Sequence, residues 1–364
     1  MNHKEYVRSI LTRQSNLHVA FDIFEGWMWP GITRQLTRHF SVNQYDELLD
    51  RVGAFCRWVT PFYCGPALPS TARQRVASPH SMYSLNSAIW KFVPGTGDYL
   101  MSEAPHPLAE IHSARDLDSY RWPSPKWFDY QGMAAGARQY PEDFMVAGGF
   151  SPVFYLLAEL QGMETTLMNL MDDPQIIECL IQKVLDFYMG YFYEITQTGQ
   201  GCIDAIAFGD DFSSQKALLM SPALWRRYFK PAWRTLFRLA HEAGYFVFFH
   251  SCGAVTQVIP DLIEIGVDVL YPIQPLATGM DITTLKEHFG RQLTFYGGLD
   301  VQQLLPYGTP EAVENEILRL IQLFNDDGGL ILSTSHVMME DIPLENALAM
   351  INCCASIGQS HSLR

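Results

Sequence analysis

The pair of residues best suited to chemistry in this 364-residue chain is His250 and Cys252, two positions apart. They follow an apolar run, Tyr245–Phe249, that is typical of a buried strand. Side chains two apart along a strand point to the same face, so the imidazole and the thiol can converge. Both are good ligands for Zn²⁺. The spacing predicts part of a zinc site, and a hydrogen-bonded histidine beside a packed cysteine is the alternative.

Further polar side chains follow the other apolar runs of the same half of the chain. They are Asp210 and Asp211 after Ile203–Phe208, Gln274 after Val267–Leu270, Asp300 after Leu293–Tyr296, and His336 after Leu330–Leu332. In a parallel barrel the loops that follow the strands ring one mouth, where active sites form. We therefore expect these residues to form one site, in which His336 is a third metal ligand and one coordination position stays open, as in catalytic zinc sites.

The remaining polar residues each have more than one candidate role. Asp210 or Asp211 is expected to complete the metal shell, to orient a ligating imidazole or to act as a general acid or base, and a helix N-cap is the structural alternative. Gln274 and Asp300 are expected to contribute to cofactor binding. The alternative for both is a hydrogen bond to nearby backbone.

The elements that position these residues are short strands alternating with helices from about residue 144 onward. Asp173-Pro174, Ser221-Pro222 and Thr309-Pro310 each place a cap residue before a proline suited to the first helical position. Six strand–helix units, with Leu17–Ile23 and one more strand in the N-terminal third, predict a (β/α)8 TIM-type barrel. An open doubly wound sheet is the competitor, although no glycine-rich dinucleotide fingerprint follows any run.

We divide the chain near residue 140, where the composition and the periodicity of the sequence change. Residues 1–140 are expected to supply an N-terminal helical or loop-rich extension, the first barrel strands and, over about 61–127, a lid. Six of the eight tryptophans lie within residues 1–140. Residues 141–364 are expected to form the main part of the barrel, and the whole chain one structural domain. The aromatic-rich N-terminal third would suit a homodimer interface.

Composition excludes several classes of protein. The formal charge of −14 disfavours nucleic acids and anionic membranes, which both attract basic proteins. The apolar runs are far shorter than the roughly 18 residues of a membrane span. The seven cysteines include no C-x-x-C pair, and the charged N-terminus lacks the apolar core of a signal peptide. A reduced, cytoplasmic setting is expected.

Taken together, the motifs resemble the uroporphyrinogen decarboxylase superfamily and, within it, the methyltransferase-type branch. The resemblance runs from about Phe144 to Gly358, and its main segments are AFGDDFSSQKALLMSPALWRRYFKP, FFHSCGAVTQVIPDLIEIGVDVLYPIQ and MDITTLKEHFGRQLTFYGGLD. It implies a barrel with an N-terminal helical extension. It also implies zinc held by a His-x-Cys pair and a later cysteine. His250 and Cys252 match that pair, and His336 is close to the place of the later cysteine.

The resemblance implies a zinc-dependent methyltransferase that moves a methyl group between a corrinoid, carried by a partner protein, or a small methylated donor and a thiol or hydroxyl acceptor. The direction of transfer is open. A decarboxylase acting on a tetrapyrrole or another carboxylate substrate is the alternative, but FDIFEGWMWPGITRQL replaces the basic Arg-Gln-Ala-Gly-Arg stretch of that branch. Its substrate would need Arg34, Arg38, Arg73 or Arg75. A non-catalytic barrel that binds a metal or tetrapyrrole is the third possibility.

Overall fold

The fold is built on a sheet of eight parallel strands, seen in a computed structural model that describes residues 1–13, 19–66, 90–93, 98–101, 106–111, 113–326 and 328–359. The strands are β1 Val19–Phe21, β2 Cys56–Val59, β3 Phe144–Gly148, β4 Ala205–Gly209, β5 Phe246–His250, β6 Val269–Ile273, β7 Thr294–Leu299 and β8 Leu330–Thr334.

The sheet follows the order of the chain. Each strand from β2 to β8 pairs with the next, and β8 pairs with β1 through Val19 and Leu330. A 3.0 Å hydrogen bond from the backbone N–H of Phe55 to the carbonyl of Phe21 joins the chain just before β2 to the end of β1. This sequential, parallel arrangement is a TIM-barrel-like α/β fold, as the sequence predicts.

Most of the helices connect the strands and cover the outer face of the sheet, whereas the first helix packs Tyr6, Val7 and Ile10 in the apolar cluster inside the barrel. They are α1 His3–Leu11, α2 Pro30–Phe40, α3 Tyr45–Val52, α4 Tyr130–Ala137, α5 Phe154–Gln161, α6 Met163–Asp172, α7 Pro174–Thr198, α8 Pro222–Tyr228, α9 Lys230–Glu242, α10 Ile259–Ile265, α11 Ile282–Phe289, α12 Leu304–Tyr307, α13 Pro310–Leu323 and α14 Leu344–Gln359. Asp173, Ser221 and Thr309 cap α7, α8 and α13 with side-chain oxygens that accept backbone N–H bonds, which confirms those predicted helix starts. None of the described helices is long and apolar enough to cross a bilayer.

Two strands of the sheet come from the N-terminal third. The first, β1, lies inside the predicted run Leu17–Ile23, of which Leu17 and His18 fall outside the described residues. The second, β2, is the strand that the sequence required without locating it. Two small antiparallel sheets are also present, Phe62–Tyr63 with Phe128–Asp129 and Trp90–Val93 with Asp98–Met101. The second lies within the predicted lid, and the first joins its start to the residues just after it. The boundary at residue 140 and the lid stay predictions.

Alternation along the strands separates two apolar layers. In β5, Phe248 belongs to the cluster inside the barrel, whereas Val247 and Phe249 pack with the outer helices. The same alternation in β4 places Ala205 and Ala207 inside. Because residues two apart share a face, this parity decides which polar residues beyond the strand ends point into the barrel.

Candidate metal centre

Three of the predicted residues lie together at the carboxyl ends of β4 and β5. Asp211, His250 and Cys252 each offer a ligand atom, and these atoms all lie within 4.8 Å of one another. His250 Nε2 is 3.4 Å from Cys252 Sγ and 3.7 Å from Asp211 Oδ1. The imidazole is buried, whereas the other two side chains are partly exposed. The proximity of His250 and Cys252 therefore agrees with the expectation that side chains two residues apart along a strand point to the same face.

The neighbouring aspartates point in opposite directions. Asp211 is four residues after Ala207 and therefore points to the same, inner face. Its Oδ1 accepts a 2.8 Å hydrogen bond from the backbone N–H of Cys252. Asp210 is fully buried on the other face, where its two oxygens accept backbone hydrogen bonds from Phe154 and Tyr155 at the start of α5. Burial outweighs these hydrogen bonds and raises the pKa of Asp210 to about 7. In this arrangement Asp210 secures a helix, and a part in catalysis stays a prediction.

Gln274 holds the segment that carries the cysteine. Its Nε2 donates to Cys252 Sγ at 3.4 Å, and its Oε1 accepts from the backbone N–H of Gly253 at 2.9 Å. Gln215 Nε2 donates to the same Oε1 at 2.6 Å. These contacts, with that of Asp211, fix both the sulfur and the backbone around Cys252. Gln274 therefore lies against the site, and binding of a cofactor by Gln274 stays a prediction.

His336 and Asp300 lie outside the close group of three. The ring centroid of His336 is 6.4 Å from that of His250, and the ring stacks on Phe24 at 5.3 Å. Burial and the neighbouring His250 lower the pKa of His336, which favours the neutral imidazole. The carboxylate of Asp300 accepts hydrogen bonds of 2.7 to 3.1 Å from three successive backbone N–H groups just ahead of and entering α12. This is the loop role that the sequence offered as its alternative.

Glu25 is a site residue that the sequence argument missed. It follows β1, and its Oε1 lies 3.3 Å from His250 Nδ1 and accepts a 3.1 Å hydrogen bond from the hydroxyl of Tyr271. Among the described residues, His250 Nδ1 itself has no aligned hydrogen-bond partner. The rule that polar residues gather after strands would have found Glu25, because it comes soon after the predicted strand Leu17–Ile23.

The charges of the site act on one another strongly. Burial opposes protonation of His250, but Cys252, Glu25 and Asp211 outweigh it and raise the imidazole pKa well above its usual value. Burial raises the pKa of the Cys252 thiol despite the opposing effect of His250. Burial also acts to raise the pKa of Glu25, yet contact with His250 leaves that pKa lowered.

A second buried carboxyl group lies next to this centre. Asp22 accepts hydrogen bonds from the hydroxyl of Tyr296 at 2.8 Å, from Trp58 Nε1 at 3.3 Å and from the backbone N–H of Cys56 at 3.2 Å. Burial outweighs these bonds and raises the pKa of Asp22 to about 7. The Tyr296 hydroxyl also accepts a 3.0 Å bond from the backbone N–H of Glu25, so the two groups are connected.

The donor set fits zinc. A thiol sulfur, an imidazole nitrogen and a carboxylate oxygen are the ligand types that Zn²⁺ takes, and three protein ligands with one open position are typical of catalytic zinc. His250 Nε2 faces Cys252 and Asp211, so one nitrogen is directed at the point where the three ligand atoms converge. The chemistry of these residues therefore matches the metal that the resemblance implies.

The arginines that a carboxylate substrate would require are not found at this site among the described residues. Arg34 lies on α2 with 70% of its side chain exposed, 3.8 Å from Glu340. Arg38 lies on the same helix and lines a surface groove with Arg34. Arg73 and Arg75 fall outside the described residues. Neither arginine that the structure describes contacts the Asp211, His250 and Cys252 group.

Comparison with known proteins gives related results from sequence and from structure. Residues 98–357 match the family model for uroporphyrinogen decarboxylase. The methylated-thiol–coenzyme M methyltransferase of Methanosarcina mazei is 27% identical over 202 residues, which are 55% of this chain and 50% of that protein. The uroporphyrinogen decarboxylase of Vesicomyosocius okutanii is 27% identical over 74 residues, which are 20% of this chain and 21% of that protein. The matches thus span half of one curated relative and about a fifth of the other.

The solved structure of a methyltransferase from Methanosarcina mazei has the same fold. It superposes with a TM-score of 0.68 at 14% identity and covers 98% of this chain and 99% of that chain. The family match covers more than half of the sequence and confirms the resemblance that the motifs indicated. The chain belongs to the uroporphyrinogen decarboxylase family, on the branch that contains methyltransferases.

Proposed function

We propose that this protein is a zinc-dependent methyltransferase. The observation that carries the proposal is the convergence of Asp211, His250 and Cys252 within 4.8 Å at the mouth of a barrel whose relatives include methyltransferases. The methyl group would move between a corrinoid on a partner protein, or a small methylated donor, and a small thiol or hydroxyl acceptor. The coenzyme M thiol named for the Methanosarcina mazei relative is the first acceptor to test.

Cys252, His250 and Asp211 would hold the zinc. Zinc bound there supplies a Lewis acid that favours the thiolate form of a bound thiol. The sequence predicted His336 as the third ligand, but the distances favour Asp211, whose Oδ1 is 3.7 Å from His250 Nε2. The ring of His336, centred 6.4 Å from that of His250, is then free to act on the acceptor.

The proton of the acceptor thiol needs a base. The lowered pKa of His336 keeps its imidazole neutral near pH 7, so its free nitrogen is able to take that proton. The acceptor sulfur then forms a bond to the methyl carbon while the bond between that carbon and the donor breaks. The donor leaves with the electron pair. Gln274 keeps the sulfur of Cys252 in place through its 3.4 Å contact.

The experiment measures zinc content and methyl transfer in the same preparations. Wild type is compared with Cys252→Ser and with the control Cys64→Ser, which alters an exposed cysteine outside the site. Methylcobalamin with a panel of thiols, and methylated thiols in the reverse direction, serve as substrates. We expect about one zinc per chain and methyl transfer in wild type and control, and loss of both in Cys252→Ser. Zinc-free wild type, full activity in Cys252→Ser, or release of carbon dioxide from a carboxylate substrate insensitive to chelators would overturn the proposal.

A further inference from the structure

Glu25 has a backbone conformation that few residues other than glycine adopt. Its φ of 49° and ψ of 24° lie in the left-handed region, and Gly26 follows with a φ of 63°. Such a conformation is strained for a residue with a side chain and persists only when its surroundings impose it. Here the backbone N–H of Glu25 donates a 3.0 Å bond to the hydroxyl of Tyr296. The turn therefore holds Glu25 at a defined place at the end of β1.

The side chain of Glu25 lies on one side of the His250 ring, and the other candidate ligands lie on the opposite side. Glu25 Oε1 is 3.3 Å from Nδ1, and 26% of its side chain is exposed. Cys252 Sγ and Asp211 Oδ1 lie at 3.4 Å and 3.7 Å from Nε2. The two nitrogens of an imidazole point away from each other, so a carboxylate at Nδ1 decides which nitrogen is available to a metal.

The Tyr271 hydroxyl keeps the carboxylate in that position. It donates a 3.1 Å bond to the same Oε1 that approaches His250, and the tyrosine is fully buried. The rings of Tyr271 and His250 also meet edge to face, with centroids 5.2 Å apart. Glu25 thus lies between a rigid hydroxyl and the imidazole, with the same Oε1 within 3.3 Å of Nδ1 and 3.1 Å of the Tyr271 hydroxyl.

We propose that Glu25 is a positioning residue that acts through His250. It accepts the Nδ1 proton, keeps Nε2 directed at Cys252 and Asp211, and increases the basicity of Nε2 as a ligand. This inference rests on the proposed zinc site and adds a residue to it. Carboxylates that hold the second nitrogen of a ligating histidine typically change metal affinity by about 10- to 100-fold.

The test measures zinc affinity by competition with a chromophoric chelator, in wild type, Glu25→Ala, Glu25→Gln and the control Glu314→Ala, which truncates an exposed glutamate on α13. We expect zinc binding to weaken about 10- to 100-fold in Glu25→Ala. Glu25→Gln is expected to lose less, because the amide oxygen still accepts from Tyr271 and His250. The control is expected to match wild type.

A second readout separates positioning from general damage to the fold. With Co²⁺ in place of zinc, the ligand-field bands of Glu25→Ala are expected to shift while the cobalt–thiolate charge-transfer band remains, since Cys252 is intact. The thermal midpoint of each metal-free variant reports its stability.

Four results would overturn the inference, the last of them together with the proposed function. Zinc affinity and cobalt bands of Glu25→Ala equal to those of wild type would show that Glu25 does not act on the site. If Glu25→Ala fails to fold, unchanged affinity in Glu25→Gln together with Tyr271→Phe would have the same meaning. Loss of the charge-transfer band in Glu25→Ala would show general collapse. A wild type that binds no zinc would instead overturn the proposed function and this inference together.

Discussion

Single residues at the mouth of the barrel differ in what they contact, even when they are adjacent in the chain. Asp210 and Asp211 show this most clearly. Asp211 contacts the backbone of Cys252 and lies 3.7 Å from His250 Nε2, whereas Asp210 receives two N–H groups of α5. The alternation of side chains along β4 produces this difference. The two positions should therefore affect different properties of the protein when they are changed.

Exchange of the two aspartates for asparagine tests that division. Asp211→Asn removes a charged ligand and is expected to lower zinc affinity at least tenfold with little change in stability. Asp210→Asn replaces one acceptor by a donor facing a backbone N–H and is expected to cost about 1–3 kcal/mol of unfolding free energy. Chelator competition and urea denaturation measure the two effects. Equal loss of zinc affinity in both variants would contradict the assignment.

Replacement of His336 tests whether this residue acts as a base or as a metal ligand. Because the proposed role of His336 is that of a base, the His336→Gln variant is expected to retain stoichiometric zinc. Its rate of methyl transfer is expected to fall by about 10²- to 10⁴-fold, the usual contribution of acid–base catalysis. Zinc analysis and initial rates on the same preparation give the answer. Loss of zinc from His336→Gln would restore the sequence-based prediction that His336 is a ligand.

At the scale of elements, the ends of strands and the turns after them determine where the site residues lie. The β4 strand ends at Gly209, and a Cβ built there would lie 2.8 Å from His250 Cβ and 3.0 Å from the ring of Phe150. Real Cβ atoms do not approach that closely, so the small residue leaves room for the imidazole of the next strand. Glycine at a strand end commonly marks such a close approach.

Gly209→Ala is expected to displace His250 and therefore to weaken zinc binding. The matched control is Gly136→Ala in α4, where an added Cβ meets no atom within 4 Å and helix propensity favours alanine by up to about 1 kcal/mol. Zinc affinity and thermal unfolding of both variants are the measurements. Normal zinc affinity in Gly209→Ala would show that the neighbouring strands yield without moving the ligand.

Much of this element arrangement could be predicted from the sequence, because buried parallel strands are nearly continuous apolar runs. The six strands from residue 144 onward all overlap the predicted runs, with shifts of up to three residues at their ends. Reasoning from strand ends also predicted that His250 and Cys252 lie together with Asp210 or Asp211 nearby, but it expected His336 as the third ligand. It could not choose Asp211 over Asp210, because that choice depends on strand parity. The same reasoning, applied after the predicted strand Leu17–Ile23, would have included Glu25, but the approach of Glu25 to His250 depends on a left-handed turn and on the neighbouring Tyr271, which the sequence does not reveal.

At the scale of the whole molecule, the sequential sheet brings the two ends of the chain into one interior. Glu25 after β1 meets His250 at the end of β5, and Asp22 meets Tyr296 of β7. The N-terminal third is therefore part of the site as well as of the sheet. The interior also contains the carboxyl group of Asp22 at 1% exposure, and within the described part of the chain its hydrogen-bond partners include no cation.

The buried Asp22 predicts a dependence of stability on pH. Its pKa of about 7 in the folded protein exceeds the ordinary value of 3.8, so the folded state binds the proton more tightly. The contribution of Asp22 to stability is therefore complete below about pH 4 and is lost as the pH rises towards 7, by at most roughly 4 kcal/mol.

Urea denaturation of the metal-free protein from pH 4 to 8 measures this effect, with Asp22→Asn as the reference. Asp210 has a similar slope in both proteins, so the difference between them isolates Asp22. We expect wild type to lose stability relative to Asp22→Asn as the pH rises to about 7 and to level off above it. A constant difference across this range would mean that Asp22 is ionised in the folded protein.

The most direct measurement is the rate of methyl transfer from methylcobalamin to coenzyme M by one preparation of wild-type protein, taken as isolated, after removal of zinc and after zinc is restored. We expect transfer by the isolated protein, loss of transfer on chelation and recovery with one zinc per chain. Undiminished transfer by the zinc-free protein would contradict a zinc-dependent methyltransferase, as would full zinc loading without transfer to any thiol in either direction.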